Sequence, residues 1–355
     1  MPGRWVRSFG WGFAVLTILF PFCFFLRRRL IQPIDSIVFL GLMSWLAILF
    51  YLVCLRGIFE VIPLAVFLYS KIRKKTAFDP ARRQFLLRTL AVGTLTIGVA
   101  GVARGMMNTF KDPAWKDVPV RLDRLPPLAR GFTIVQLTDL HVSPWTPLEF
   151  LERIVDRVNA SRPDVVVITG DLVDGEVDRL GDKIGVFAKL SALHGVFFVT
   201  GNHEYYVETD PWLDQIRRMG ITILHNSGLP VAGAIFLAGI PDRTIREISG
   251  VSPDDWPDIP RALANRPADL PTVLLAHQPR EIAAAVSAGV DLQLSGHTHG
   301  GQIWPFGVVV MAAQPYISGL HRRDQTQIYV SRGTGTWGPP MRIAAPAELT
   351  RIVLT

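Results

Sequence analysis

The chain has 355 residues, 49% of them hydrophobic and 19% charged, which excludes a disordered polymer. Its only cysteines, Cys23 and Cys54, sit in apolar runs, so a disulfide framework and a Cys-based zinc site are excluded too. The net charge of +7 is unevenly held: residues 1–111 carry fifteen Lys and Arg against three Asp and Glu, and the remainder carries twenty-two against twenty-seven. The part holding all eight histidines is therefore acidic, which argues against nucleic acid as a partner.

Residues 9–26 carry no charge and just reach the length of a spanning helix, about 18 residues. Arg27, Arg28 and Arg29 follow, where a signal peptide would show a small-residue cleavage site. Residues 36–55 are a second uncharged run, interrupted by Arg56 and Glu60 and then continued over 61–70. A third run, 89–103, is rich in Gly, Ala and Thr. Between the last two, residues 71–88 hold seven cations, among them Lys71, Arg73, Lys74, Lys75 and Arg88, against Asp79 alone. The positive-inside rule makes this loop cytoplasmic and delivers the rest of the chain to the other side. Upstream, two topologies remain: one long span over 34–70 gives three membrane helices, and two tight spans give four. Residues 1–110 are accordingly a membrane region.

Within it, residues 81–88 place Arg82 and Arg83 ahead of an apolar run, like a twin-arginine export signal. Ala81 and Leu87 depart from that pattern, so an ordinary arginine anchor stays equally open. Residues 111–130 contain Pro113, Pro119, Pro126 and Pro127 and read as a stiff linker opening the second domain, 111–355.

That domain reads as strand–loop–helix units. Phe132–Leu137, 164–168, Val196–Val199 and Val273–Leu275 are short β-type runs. Thr146, with Pro147 and Glu149 behind it, predicts a capping box on a helix over 147–160. Val308–Met311, Gln327–Val330 and Arg351–Leu354 read as further strands.

Five polar tips follow the strands. They are Asp139-Leu140-His141, Gly170-Asp171 with Asp174, Gly201-Asn202-His203-Glu204, a lone His277, and Gly296-His297-Thr298-His299-Gly300-Gly301-Gln302. Each alone is a weak signal. Together they put Asp, Asn and His at strand carboxyl ends, where open α/β sheets gather ligands. Glycines beside them let the backbone turn sharply.

In this order the tips resemble the calcineurin-like metallophosphoesterase superfamily, and within it the membrane-anchored bacterial branch named for YkuE and YaeI. Residues 296–302, His321-Arg322-Arg323 and the stretch from Ser331 to Pro340 carry the likeness to that branch. The resemblance covers about 111–355. It implies a four-layer αββα sandwich and a site for two divalent ions. Asp139, His141, Asp171 and His299 would hold one ion; Asp171, Asn202, His277 and His297 would hold the other, with Asp171 shared. Imidazole and carboxylate donors suit Mn, Fe or Zn. The implied reaction is hydrolysis of a phosphomonoester or phosphodiester by a metal-bridging hydroxide. His203 would face the substrate and serve the leaving group. Arg322 and Arg332 follow polar turns near the expected active face, where one would grip phosphate or serve only a surface or structural salt bridge.

Asp174 and Glu204 lie beside ligands and suit either orienting those neighbours or standing as solvated loop acids. Trp304, Phe306 and Trp337 suit either core packing or a slot for a lipid tail. Two alternatives stand beside this reading. One is a lipid-directed pyrophosphatase such as UDP-2,3-diacylglucosamine hydrolase of lipid A synthesis. The other is a non-catalytic membrane module that keeps the fold. The implied location is the bacterial cytoplasmic membrane, in contact with lipid, with the catalytic domain on the extracytoplasmic side.

Overall fold

The computed structural model describes residues 15, 17–23, 34–72 and 80–355. Arg27–Arg29 and the cations Arg73, Lys74 and Lys75 lie outside the described residues, as does most of the first apolar run. The chain divides into two compact units: Met1–Arg104 with Gly338–Pro340, and Gly105–Trp337 with Met341–Thr355.

In the first unit residues 17–23 are helical. Ile34–Ile72 (α1) is one uninterrupted helix of 39 residues, without the turn that two tight spans would need. Arg56 and Glu60, one turn apart, pair with each other and so offset the charge each brings to an apolar helix. Pro80–Met107 (α2) begins at the arginine pair. Two windows, Ile34–Val61 and Leu87–Met107, are long and apolar enough to cross a membrane. Gly98 and Gly101 face Leu52 and Tyr51 of α1, and a Cβ on Gly101 would lie 2.9 Å from the Tyr51 ring. Small residues at such a crossing let two helices approach closely.

The second unit is built on two six-stranded sheets. The first contains Ala114–Val120 (β1), Thr133–Leu137 (β2), Val165–Thr169 (β3), Val196–Val199 (β4), Thr222–Ile223 (β5) and Glu348–Leu354 (β12). Their order is β1-β12-β2-β3-β4-β5, with β2 to β5 parallel. The second contains Ser227–Val231 (β6), Ile235–Gly239 (β7), Thr272–Leu275 (β8), Leu292–Ser295 (β9), Gly319–Arg323 (β10) and Thr326–Val330 (β11). Here the order is β10-β11-β9-β8-β7-β6, parallel from β11 to β7 and antiparallel at both edges.

Period-two alternation builds the layers. Val165 and Val167 join Phe197, Leu237, Val273 and Leu294 in a core between the sheets. Their neighbours Val166, Ile168 and Phe198 point the other way, onto Leu148–Ala160 (α3), Val177–Ile184 (α4) and Thr209–Arg218 (α6), which carries Trp212. Phe236 and Leu274 cover the opposite outer face with Ile259–Ala262 (α7) and Ala285 of Ile282–Ser287 (α8). Helix, sheet, sheet, helix is the four-layer αββα sandwich expected from the resemblance.

Three local expectations fail. Residues 114–120 are no linker but strand β1, paired with β12 at the sheet edge, where Pro119 is tolerated. Thr146 does not cap α3: Pro147 holds that position, and the Thr146 hydroxyl accepts from the Ser143 amide at 3.0 Å. Val308–Met311 is not a strand but part of a short helix, Gly307–Ala313 (α9). Four apolar residues cannot distinguish a period of 2 from one of 3.6.

Candidate metal centre

All five polar tips lie beyond the carboxyl ends of parallel strands, three on the first sheet and two on the second. β2 delivers Asp139 and His141, β3 delivers Asp171 and Asp174, and β4 runs into Asn202–Tyr206 (α5), which opens with Asn202 and His203. From the other sheet, β8 delivers His277 and β9 delivers His297 and His299.

The backbone there is strained. Asp139, His141, Asp171, His297 and His299 all adopt left-handed φ, between 46° and 69°. For residues with a Cβ each costs about 1–2 kcal/mol. The surrounding bonds enforce it: Asp139 donates to the Gly170 carbonyl at 3.1 Å and His141 to the Asp171 carbonyl at 3.0 Å. The buried Glu204 carboxylate accepts from the amides of Gly201 at 2.6 Å, Leu172 at 2.7 Å and Asp171 at 3.0 Å. Gly201 and Gly296 are required by crowding, because a Cβ on either would collide with the Asp171 or the Asp139 carboxylate.

Donor atoms converge in two main groups, linked by a third made of His141, Asp171 and His203. Asp139, His141 and His299 form one, with His141 Nε2 3.0 Å from His299 Nε2 and His299 Nε2 3.5 Å from Asp139 Oδ1. Asp171, His277 and His297 form the other. There His277 Nε2 lies 3.2 Å from Asp171 Oδ2 and 3.1 Å from Asn202 Oδ1, and Asn202 Oδ1 is 2.8 Å from His297 Nδ1. His141 Nε2, 3.6 Å from Asp171 Oδ2, joins the groups. Asp139 and Asp171 are buried, as are His141, His277 and His299.

Tautomers follow from the outer nitrogens. His277 Nδ1 donates to the Thr169 carbonyl at 2.7 Å, so Nε2 presents its lone pair to Asp171 and Asn202. Three acceptors then face one another and repel unless a proton or a cation sits among them. A divalent ion with mixed imidazole and oxygen donors fits this set. The electrostatics carry the same signature. Burial pushes the His277 pKa down, but the Asp171 charge and hydrogen bond outweigh it and hold it well above the usual histidine range. His297 falls to about 3, through burial and then the charge of His277. His299 is held well below its usual value by burial, His141 and Arg342.

His203 sits at the mouth, its side chain 15% exposed. Asp174 Oδ1 accepts from His203 Nδ1 at 2.6 Å and from His141 Nδ1 at 2.9 Å. Burial lowers the His203 pKa, yet the Asp174 bond and the Asp171 and Asp174 charges raise it to about 9. The rings of Tyr206 and Trp337 stand edge-on to it at 5.2 and 6.2 Å.

The two arginines part company. The Arg332 stem packs against the Gly300 backbone beside His299. Arg322 is directed to the Asp324 carbonyl of its own hairpin, three pairs along the ladder from Gly319 and Val330. At 3.3 Å per residue that is about 10 Å down the strand.

Sequence reasoning passed over Arg342. It is buried and donates to the carbonyls of Gly335 at 2.5 and 2.8 Å and Ala345 at 3.0 Å, with Nη2 3.3 Å from His299 Nδ1. A single arginine in a Pro-rich stretch gives no local signal for this.

The calcineurin-like phosphoesterase family model matches residues 132–301. A metallophosphoesterase of Helicobacter pylori (strain J99) is 38% identical over 83% of this chain and 78% of its own length. A zebrafish (Danio rerio) transmembrane protein with a metallophosphoesterase domain is 38% identical over 70% of this chain and 59% of its own. The Bacillus subtilis metallophosphoesterase YkuE is 31% identical over 77% and 97%. The chain belongs to the calcineurin-like metallophosphoesterase family and is a metal-dependent phosphoesterase.

Proposed function

We propose that the protein is a membrane-anchored hydrolase of phosphoesters that works with two divalent ions. Asp139, His141, Asp171 and His299 would hold one, and Asp171, Asn202, His277 and His297 the other. The observation that carries this is the place of Asp171, whose Oδ2 lies 3.2 Å from His277 Nε2 and 3.6 Å from His141 Nε2, within reach of both groups. Such ions, when bound, supply positive charge for the phosphoryl oxygens and acidify water.

The chain's own residues do the rest. His203, held by Asp174 through Nδ1, presents Nε2 to the mouth and protonates the departing alkoxide. Arg332, whose stem lies beside Gly300, would meet phosphate oxygens. Anchoring rests on α1 and α2, both apolar enough to span, with residues 1–110 as the membrane region and 111–355 as the catalytic domain.

The test is metal analysis with an aryl phosphoester assay on the purified full chain. Chelator should abolish activity, and Mn²⁺, Fe²⁺ or Zn²⁺ should restore it. Asp171→Asn should lose one ion and at least about 10³-fold in kcat, since a shared carboxylate serves both sites. Full activity in that variant would refute the shared role.

A further inference from the structure

Beside the metal cluster the surface turns apolar. Helix α9 buries none of its seven residues, and Val308, Val309 and Met311 are 62%, 57% and 57% exposed. Trp304 just before it is 47% exposed, and Trp337 is 46% exposed. Gln302 ties this lobe to the site. Its Nε2 donates to the Trp337 carbonyl at 2.7 Å, its Oε1 accepts from the Trp337 amide at 2.9 Å, and the Trp337 ring meets His203. Contiguous exposed apolar side chains of this kind mark an interaction surface.

Charge identifies the partner. The 32 residues from Leu292 to Arg323 contain no Asp or Glu. Arg280 caps the lobe, its guanidinium donating to the Ala313 carbonyl at the end of α9 at 2.6 and 3.0 Å. Arg322 and Arg323 are exposed on β10. Branched apolar side chains and indoles with cations beside them match a bilayer bearing anionic headgroups; the acids nearest in sequence, Glu281, Asp291 and Asp324, flank the lobe rather than lie in it.

We propose that the lobe Trp304–Met311, with Trp337, docks into an anionic phospholipid bilayer, so that the metal site takes its phosphoester from a lipid headgroup. The docking stands on the lobe itself; the lipid substrate rests on the phosphoesterase reading above.

The test uses the full chain with Cys23→Ala and Cys54→Ala, spin-labelled at Val309→Cys, in phosphatidylcholine vesicles containing phosphatidylglycerol. Docking predicts frequent collision with oxygen and loss of collision with a water-soluble nickel chelate, relative to the same label at the exposed Arg217→Cys. Free access of nickel would overturn it. So would exclusion of both reagents, which would mean that protein covers the lobe. In a second arm, Val308→Ser with Val309→Ser and Met311→Ser should lose about tenfold on phosphatidic acid in vesicles and keep its rate on a soluble aryl phosphate. Equal rates on the vesicle ester would overturn the lipid substrate. A wild-type chain inactive on both esters would refute the phosphoesterase reading and leave the label result standing.

Discussion

Asp174 sets the state of two imidazoles with different tasks. Its Oδ1 accepts from Nδ1 of both His141 and His203, so each ring turns Nε2 inward or to the mouth. Burial opposes a charged Asp174, but those two histidines hold its pKa below the usual carboxylate range. Asp174→Asn would keep an oxygen for both rings but remove the negative charge that makes each bond charge-assisted. We expect kcat to fall about 10–100-fold with part of the metal lost, as for other groups that orient ligands. Metal titration followed by turnover of the reloaded enzyme separates the two effects. His203→Ala should differ in kind. It should retain both ions and lose about 10²–10⁴-fold in kcat, the usual range for a proton-transfer residue. The loss should shrink for esters whose leaving group is acidic enough to depart unprotonated. A uniform loss across leaving groups would instead mark His203 as structural.

At the scale of elements, the catalytic half was legible because each candidate ligand sits two to four residues beyond a short apolar strand. Val-Val-Val-Ile before Asp171 is a strand buried on both faces, and such runs read directly. What escaped depends on contacts distant in sequence. The Val308–Met311 run carries β-branched residues but meets no sheet edge, and it coils as an exposed helix. β1 carries Pro119, yet it finds β12 more than two hundred residues later. Arg342 illustrates the same limit. Nothing around it announces a buried guanidinium that pins the Gly335 and Ala345 carbonyls and approaches His299. Burial lowers its pKa to about 10, which still leaves it charged at neutral pH. Arg342→Met should therefore destabilise the domain by about 2–4 kcal/mol, since several carbonyls lose a charged donor. Thermal melts of the detergent-purified chain would read this. Arg342→Lys should not restore stability, because one ammonium cannot reproduce the planar fork. A melt unchanged by either substitution would remove Arg342 from the supports of the site.

For the whole molecule, charge and chemistry are divided between the two halves of the chain. The cations of residues 71–88 and the apolar windows around them give an orientation, because cytoplasmic loops retain Lys and Arg. If that loop is inside and α2 crosses once, everything from β1 onward lies outside, where a C-terminal reporter that folds only in an oxidising compartment should be active. A reporter active only in the cytoplasm would reverse the topology and place the metal site with cytoplasmic substrates. The arginine pair can be tested in the same cells. Arg82→Lys with Arg83→Lys keeps the positive charge but removes a guanidinium pair. Export through a twin-arginine route should then fail, whereas a simple cytoplasmic anchor should tolerate the change, since the positive-inside bias counts lysine and arginine alike. Loss of the external signal would favour a domain translocated after folding around its metals, and an unchanged signal would leave the pair as an anchor for α2.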